Sequence, residues 1–549
     1  MLSRLRTTSW LHRDDLKLSL LHAFFVCLGV LILASLGCNS ASIPTAPPPS
    51  GTSVLTTQDV QTLMAQAVEQ AVRLNETINV AVVDREGNVL GVYNMNNAQV
   101  IIPASQALFG EIAKARTATY ASSNQQAFST LTGCFITRSH FPPAQSNTAA
   151  GPLYGVPFSS RSDSDIQPNG GPRPPLGPPQ PPAPGQPGLT NIPGGVPVYK
   201  NGLLAGGLGI SGGSDTFLQL NTINDRCAGV TKDEMIALGA LGNYAPPANL
   251  RGDNVFLDGI QLLYSNQPAP PANFTFTFDS LATRGSIHAS YPIRPTPPPN
   301  FPPQGYVTFA DGSRDFSARG GQVLTASDVQ QIITNAANRA SNTRAAIRRP
   351  IGSAAQVFIC VADLDGTILG MWRTPDATIF SYDVAAQKAR TVVAFSDPND
   401  GMGIILRTFL NVPNGAPLAA STRAIGFLSQ RYFPPGIDQG TGPRTQPPEM
   451  GPLYTYVDGQ FDFQYMRLLT PRPPFQNGIQ IFAGGIPLYK NGVLAGGIGV
   501  SGDGVDQDDY IAAGGTKGFE APANIRTDQF RYNNTVLPYI KFPRQPNLK

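Results

Sequence analysis

Apolar residues follow two different spacings along this chain, and each spacing occurs twice. After Val54 and again after Val323, apolar positions return every three to four residues behind a Thr/Ser-rich start, which is typical of an N-capped amphipathic helix. From Ile78 and from Val357, apolar runs flank a glycine turn, which predicts two antiparallel strands. Each half of the chain is therefore predicted to begin with the same helix and hairpin.

A glycine-rich hairpin follows in both halves. The segment GGVPVYKNGLLAGGLGISG from Gly194 returns as GGIPLYKNGVLAGGIGVSG from Gly484. An Asn-Gly pair joins two strands in each copy, because both residues tolerate the positive φ of tight turns. A dinucleotide site of the G-x-G-x-x-G kind needs a helix that begins on the glycines, whereas here they lie within a strand.

These strand glycines share one face of the predicted sheet. Side chains alternate across a strand, so Gly207 and Gly209, and likewise Gly497 and Gly499, leave a nearly bare surface. Glycine within a strand costs conformational entropy and usually reflects the close approach of another backbone or of a flat ligand. The sequence leaves both interpretations open: helix packing, or the floor of a ligand site.

Further matched segments extend the duplication over most of the chain. KARTATYAS from Lys114 corresponds to KARTVVAFS from Lys388, and HFPP at His140 corresponds to YFPP at Tyr432. The order in each half is helix, hairpin, helix, long loop, hairpin and helix. We therefore predict an α+β fold of two layered domains, each an antiparallel sheet with flanking helices. We expect the two domains to pack together as a pseudo-symmetric pair.

The N-terminal residues predict export rather than a fold element. Basic residues precede an apolar run from Leu18 to Leu36, and Gly37 and Cys38 follow, an order that resembles a bacterial lipoprotein signal with Cys38 as the acylated residue. An uncleaved membrane anchor is the alternative, since the run is about 19 residues long. By resemblance to bacterial sorting, Asn39 favours the outer membrane, with the protein facing the periplasm or the exterior.

The predicted organisation is a signal peptide at 1–37, a tether at 38–53, a first repeat with a Pro-rich insert at 54–262, a Pro-rich linker at 263–322 and a second repeat at 323–549.

Composition narrows the classes of partner. The net charge is only +3 and no Lys/Arg run follows the N-terminus, so nucleic acid is not an expected partner. Many of the 52 prolines gather in long loops, which are lids, surfaces for protein partners or disordered segments. Cys134 and Cys227 are candidates for a disulfide in an oxidising compartment, while Cys360 lies in an apolar strand and is interpreted as a core residue. No cysteine spacing indicates a zinc site.

The matched segments LTxxDV, VAVVDxxGxVLG, KARTA and GGxPLYxxGxLxGGIGVSG resemble the GlcG/HbpS-like haem-binding family, over most of residues 54–250 and 323–526. This family also supplies the C-terminal part of some corrinoid adenosyltransferases. The resemblance implies a profilin-like layered fold and a bound haem or corrinoid. Together with the N-terminal signal, it predicts an exported haem- or tetrapyrrole-binding lipoprotein that serves in storage, uptake or sensing.

A haem site needs an axial ligand and partners for the propionates. His140 and the matching Tyr432 are the candidate iron ligands; the alternative is a loop residue that bonds within its own turn. Arginine in particular binds carboxylates in a forked geometry, and the alternative for the basic residues of the second helix is a solvated face. The other candidates are the propionate partners Lys114, Arg116, Lys388 and Arg390, the oxygen donors Thr117 and Thr391 suggested by the family, and a ring floor of Gly207, Gly209, Gly497 and Gly499.

Two other functions remain open from the sequence. One is a structural or partner-binding lipoprotein without a cofactor, and the other is a haem-degrading enzyme, which the family association suggests. Asp84 and Asp363 end strands before glycine turns, a place where aspartate is common without catalysis. No Ser-His-acid arrangement is indicated, because the second repeat contains no histidine.

Overall fold

The computed structural model describes residues 53–99, 110–154, 190, 192–214, 227, 231–266, 268–310, 312–437, 450–457 and 474–548. The predicted signal peptide, the lipidation site at Cys38 and most of each Pro-rich loop lie outside the described residues. Within the described ranges, none of the helices combines the length and the apolar character needed to cross a membrane.

The first repeat begins with an amphipathic helix whose start is set by a reciprocal cap. The Thr56 hydroxyl accepts a hydrogen bond from the Asp59 backbone N–H, and the Asp59 carboxylate accepts one from the Thr56 backbone N–H. The elements of this repeat are α1 (Thr57–Arg73), β1 (Asn79–Asp84), β2 (Val89–Met95), α2 (Glu111–Tyr120), α3 (Thr130–Ile136), β3 (Gly195–Lys200), β4 (Leu203–Ser211) and α4 (Lys232–Ala240).

The second repeat has the same order with one addition. Thr325 and Asp328 form the matching cap at its start. Its elements are α5 (Ala326–Asn342), β9 (Phe358–Ala362), β10 (Ile368–Arg373), α6 (Ser381–Ser396), α7 (Gly401–Phe409), α8 (Thr422–Leu428), α9 (Tyr454–Val457), β11 (Gly485–Lys490), β12 (Val493–Ser501) and α10 (Val505–Gly515). Helix α7 has no counterpart in residues 110–154 of the first repeat.

Each repeat forms a five-stranded antiparallel sheet between two helical layers. The strand order is β3-β4-β1-β2-β7 in the first sheet, where β7 is Gly285–Ile287, and β11-β12-β9-β10-β8 in the second, where β8 is Gly305–Tyr306. Helix α2 covers one face of the first sheet, and α1 and α4 cover the other, as α6, α5 and α10 do in the second. Alternation places Ile498 and Val500 in the core beneath α5 and α10. The predicted α+β class and its two sheet-containing domains are confirmed.

The segment 263–322, which the sequence predicts as a Pro-rich linker, contributes a strand to each sheet. It supplies the fifth strand of both sheets, β7 (Gly285–Ile287) and β8 (Gly305–Tyr306). The carboxylate of Glu86 accepts the backbone N–H groups of Asn300 and Phe301 at 2.9 and 3.0 Å, which holds the segment between these strands. Open sheet edges recruit strands because their N–H and C=O groups are otherwise unpaired. Two short hairpins, β5/β6 (Phe256–Leu257 and Ile260–Gln261) and β13/β14 (Arg531–Tyr532 and Thr535–Val536), come after the last helix of each repeat.

The two repeats contact each other through buried charges. Arg348 has a fully buried side chain and pairs with Asp376 at 3.0 Å and with Asp503 at 2.6 Å. It also donates to the Ser123 hydroxyl of the first repeat at 2.9 Å. Arg85 of the first repeat completes the cluster, with a nitrogen 2.6 Å from the other oxygen of Asp376. We call these five residues the interface cluster.

The cysteine expectations agree with the structure. Cys134 of α3 and Cys227 form a disulfide across 93 residues of sequence. Cys360 is buried within β9. The bridge joins α3 to the segment that leads into α4.

Candidate functional site

The glycine faces of both sheets are covered by helix backbone. A Cβ atom on Gly207 would overlap the carbonyl oxygen of Ala115, and one on Gly209 would overlap that of Glu111, both in α2. In the second repeat, Gly497 and Gly499 meet α6 in the same way. Helix packing is therefore the reason for these glycines, and the expectation that they form the floor for a flat ligand is wrong, because no space remains between strand and helix.

The two lysines proposed as propionate partners are occupied within the fold. The Lys114 ammonium lies 2.8 Å from Asp233 and donates to the carbonyl of Ile210. Lys388 pairs with Asp508 at 2.8 Å in the matching position. Both lysine side chains are fully buried, so these pairs connect the helices on the two faces of each sheet, and neither ammonium is available to a ligand carboxylate.

The two arginines on the same helices bind turns. Arg116 donates from Nε to the carbonyl of Gly87 at 2.9 Å, and Arg390 donates to that of Gly366 at 2.7 Å. Gly87 and Gly366 both have positive φ in the turns of the first hairpins. Each guanidinium thus holds the turn of a hairpin against a helix. This contact is a structural role for both arginines.

The neighbouring threonines accept hydrogen bonds from the long loops. Thr117 Oγ1 accepts the backbone N–H of Thr190 at 2.8 Å, and Thr391 Oγ1 accepts that of Gln480 at 2.9 Å. All four residues are buried. The matched threonines therefore anchor the loop that leads into each glycine hairpin.

His140 and Tyr432, predicted from matching positions in the two repeats, meet in space. Their rings stack with centroids 4.9 Å apart and planes at 26°. His140 is buried and Tyr432 is half-buried. The pairing of the repeats brings equivalent loops together, which neither repeat's sequence indicates alone. The role of either residue as an iron ligand stays a prediction.

A cavity of about 990 Å³ lies between the two repeats, and Phe141, the residue after His140, is part of its lining. Such a volume is at the upper end of the range for small-molecule sites. Its walls come from both repeats: α3 and the loop after it, the β5/β6 hairpin, the segment between α5 and β9, residues 501–508 and the C-terminal residues, with single side chains from α8 and from the segments before α6 and β11. Its aromatic and branched lining residues include Phe128, Ile136, Phe141, Ile347, Phe380 and Phe482.

Three large apolar side chains remain exposed around this cavity. Phe256 is 53% exposed, Ile351 64% and Phe542 49%, and all three line the cavity. They come from β5, the segment before β9 and the C-terminal segment. Exposed apolar groups that gather at one opening indicate a binding site for an apolar body.

Six cationic side chains and three carboxylates complete the lining. Arg423 and Lys541 are paired with Asp506 at 2.6 and 2.8 Å, and Arg348 belongs to the interface cluster. Within the described ranges, the other three cations form no ion pair with a carboxylate. These three, which we call the rim arginines, are Arg344, Arg349 and Arg544.

Sequence reasoning missed the cavity and its rim arginines. Arg344 and Arg349 lie between two predicted elements, and Arg544 lies in the last residues of the chain. The Arg344 guanidinium is 3.3 Å from the carbonyl oxygen of Arg544, so the fold brings these distant segments together. The only local signal was a cluster of arginines at 344–349 with no matching cluster in the first repeat.

The cavity lining contains no side chain of the usual haem-ligand types. His, Cys, Met and Tyr are all missing from the described residues that form its wall. Elsewhere in the described ranges, no group of three or more His, Cys, Asp or Glu residues is placed to hold a metal ion. The arrangement suits an apolar molecule that carries acidic groups.

Comparison with known proteins places the repeats in a family. The family described as haem degrading protein HbpS-like matches residues 55–216 and 324–517. A corrinoid adenosyltransferase PduO from Salmonella typhimurium is 25% identical over 170 residues, 31% of this chain and 34% of that protein. The PduO of Citrobacter freundii is 26% identical over 187 residues, 34% and 38% of the two chains. This chain thus spans about a third of the length of these curated relatives.

Solved structures include similar proteins of single-repeat size. A PduOC–haem complex is 21% identical, with a TM-score of 0.22, and the match covers 36% of this chain and 97% of that one. Protein ORFY of Klebsiella pneumoniae is 20% identical, with a TM-score of 0.22, and the match covers 36% and 96%. The family match extends over both repeats and more than half of the chain, and the protein is therefore a tandemly duplicated member of the HbpS-like family.

Proposed function

We propose that this protein binds a tetrapyrrole, haem included, in the cavity between its two repeats. The observation that carries the proposal is the cavity itself, in which apolar walls lie next to the three rim arginines, which have no carboxylate partner among the described residues. A haem macrocycle is apolar and suits the apolar walls. Its propionates are anionic and suit the rim arginines. The membership of both repeats in a family described by haem degradation supports this choice of ligand.

The chain's own residues enclose the ring and bind its acidic edge. Phe128, Phe141, Phe380 and Phe482 provide aromatic surface, and burial of such surface is the main source of affinity for an apolar ligand. Bound haem supplies an iron centre capable of redox and ligand-binding chemistry. The protein excludes water from the ring and orients it.

A spectroscopic titration tests the proposal. Haem added to the purified full chain in detergent should give a saturable Soret change at one haem per chain. Ala346→Trp, which fills the cavity from its wall, should weaken binding at least tenfold, since a large side chain then occupies the ring's space. Ala326→Trp on the exposed start of α5 is the matched control and should bind normally. Absence of saturable binding by the folded wild type would exclude haem as a ligand.

Haem degradation is the second candidate, and it is favoured by the description of the family. The same haem-loaded protein with a reductant and oxygen provides the test. Loss of the Soret band faster than with free haem, with release of iron, would identify turnover. A stable Soret band would assign the protein to binding alone.

We also propose that Cys38 is acylated and anchors the protein in the cell envelope. The support is the order of basic residues, apolar run, Gly37 and Cys38. Cys38→Ala should abolish incorporation of labelled fatty acid and release the protein from membranes or leave it unprocessed. Membrane partitioning that is unchanged in the variant, with Met1 retained, would identify an uncleaved anchor instead.

A further inference from the structure

We infer that the cavity recognises a dicarboxylic porphyrin through its ring and its two carboxylates and not through a metal, so that a metal-free porphyrin diacid binds as tightly as haem. The inference rests on the proposed function and specifies its ligand class. It assigns the recognition of carboxylates to the rim arginines, Arg344, Arg349 and Arg544.

The described residues give the rim arginines no carboxylate partner. Burial of part of the Arg349 side chain lowers the pKa of its guanidinium, because the charged form loses water without gaining a carboxylate. Within the described ranges, the Arg344 guanidinium donates only to the backbone carbonyl of Arg544, at 3.3 Å, and the Arg349 guanidinium donates to the backbone carbonyls of Arg348 and Asn254. A ligand carboxylate would provide each with a forked, charge-assisted pair. Arg423 and Lys541, in contrast, already have Asp506 as a partner.

The rim arginines lie next to exposed apolar side chains. The three rim arginines come from the segment at 344–349 and from the C-terminal segment, which are held together by hydrogen bonds between Arg344 and residues 544 and 546. The apolar residues Ile351 and Phe542 flank the same two segments. Cations and exposed apolar groups are thus adjacent, as an amphipathic ligand with acids at one edge requires. A long-chain fatty acid has only one carboxylate to pair with the rim arginines. Its flexible tail also loses conformational entropy on binding.

Recognition of haem through its iron would need an axial ligand at the cavity wall. No described lining residue has an imidazole, thiolate, thioether or phenol side chain. The nearest candidate in sequence, His140, precedes the lining residue Phe141 but stacks on Tyr432. The affinity therefore comes from ring burial and carboxylate pairing, and both are the same for haem and for protoporphyrin IX.

Four ligands separate these contributions: haem, protoporphyrin IX, its dimethyl ester and oleate. Binding to the full chain is measured by absorbance for haem, by fluorescence for the porphyrins and by competition for oleate. We expect haem and protoporphyrin IX to have dissociation constants within about threefold of each other. The ester should bind at least tenfold more weakly, because it loses the charge-assisted hydrogen bonds. Oleate should compete only at concentrations well above these.

Variants test the assigned residues. The triple variant Arg344→Gln/Arg349→Gln/Arg544→Gln should bind the free acid about tenfold more weakly and should no longer discriminate against the ester. Arg544→Gln alone is the second variant, because its exposed side chain leaves the fold intact while it removes one rim cation. Arg531→Gln, an exposed arginine of β13 outside the cavity, is the control and should retain wild-type binding.

The outcomes separate the inference from the proposed function. Haem binding with protoporphyrin IX more than tenfold weaker would overturn the inference and leave haem binding intact. Equal binding of the acid and the ester, or full affinity in both arginine variants, would overturn the assignment of the rim arginines. Tight binding of oleate without binding of either porphyrin would overturn both and identify a fatty-acid site.

Discussion

Gly209 and Gly499 occupy positions where a strand faces the backbone of a helix with no room for a side chain. A methyl group at either site would overlap a carbonyl oxygen of α2 or α6. Gly209→Ala and Gly499→Ala should each lower the free energy of unfolding by about 3 kcal/mol, since the helix must move away from the sheet. Urea unfolding followed by circular dichroism measures this change.

Gly401→Ala is the control for these substitutions. No atom lies within 4 Å of a Cβ built at Gly401, which begins α7. We expect this variant to be as stable as the wild type or slightly more stable. Wild-type stability in Gly209→Ala together with weaker haem binding would restore the interpretation of these glycines as a ligand floor.

Glu234 is predicted to make stability depend on pH. Burial raises the pKa of its carboxyl from 4.5 to about 7. The hydrogen bond that the carboxylate accepts from the Asn266 backbone lowers the pKa, but by less than burial raises it. The folded chain thus keeps a proton that the unfolded chain releases, so the stabilisation is complete below about pH 4.5 and is lost as the pH rises to about 7. Glu234→Gln should remove this fall and be about 2 kcal/mol more stable than the wild type at pH 8.

Thermal unfolding between pH 4 and pH 8 checks this expectation. Glu520→Gln, at an exposed glutamate, should keep the wild-type pH profile. Identical profiles for Glu234→Gln and the wild type would show that Glu234 ionises normally.

A substitution of His140 separates two roles for this residue: the iron ligand predicted from the sequence and the stacking partner seen in the structure. An axial ligand would shift the Soret band when removed, whereas a buried ring stacked on Tyr432 serves the contact between the repeats. From the structure we expect His140→Ala to change haem affinity less than twofold, to leave the Soret maximum in place and to cost about 1 kcal/mol of stability. Tyr432→Phe keeps the stacked ring and is the matched control. A shifted Soret maximum in His140→Ala alone would identify the histidine as the ligand.

At the scale of elements, a disulfide fixes α3 to the segment before α4. Cys134 and Cys227 are 93 residues apart, and much of that stretch is the Pro-rich loop. Closing so long a loop restricts the unfolded chain, so Cys134→Ser/Cys227→Ser should lower the free energy of unfolding by about 4 kcal/mol. Chemical denaturation under oxidising conditions measures the loss.

A reductant provides the internal control for this prediction. It should lower the stability of the wild type towards that of the double variant and leave the variant unchanged. Equal stability of the oxidised wild type and the variant would show that the bridge adds nothing to the folded state.

At the scale of the whole molecule, the interface cluster couples the two repeats. Arg348 neutralises Asp376 and Asp503, all three with buried side chains, and burial raises the pKa of Asp503 even beside this arginine. Arg348→Leu leaves both carboxylates without their central partner. It should lower the free energy of unfolding by about 3–5 kcal/mol and separate the melting of the repeats into two transitions.

Differential scanning calorimetry follows both effects. Arg526→Gln is the control, because Arg526 and Asp528 form an ion pair with about a third of each side chain exposed, and such pairs contribute little. A single, unshifted transition in Arg348→Leu would show that the interface cluster does not hold the repeats together.

The sequence by itself determined the elements, their order and the family. Periods of 3.6 and 2 residues are local properties, and their repetition after about 270 residues identified two copies of one α+β unit. Alternation along β4 and β12 also predicted which residues share the glycine face. The candidates His140 and Tyr432 were found because duplicated positions can be compared directly.

Only the tertiary structure decided what covers each face and where a ligand fits. A periodic pattern shows that one side of an element is buried, but not whether a helix, a strand or a ligand buries it. The glycine faces proved to be filled by α2 and α6, and the Pro-rich segment at 263–322 proved to supply edge strands. The cavity joins residues as distant as Phe128, Ile347 and Phe542, and its character depends on how segments far apart in the chain pack together, which no local pattern encodes.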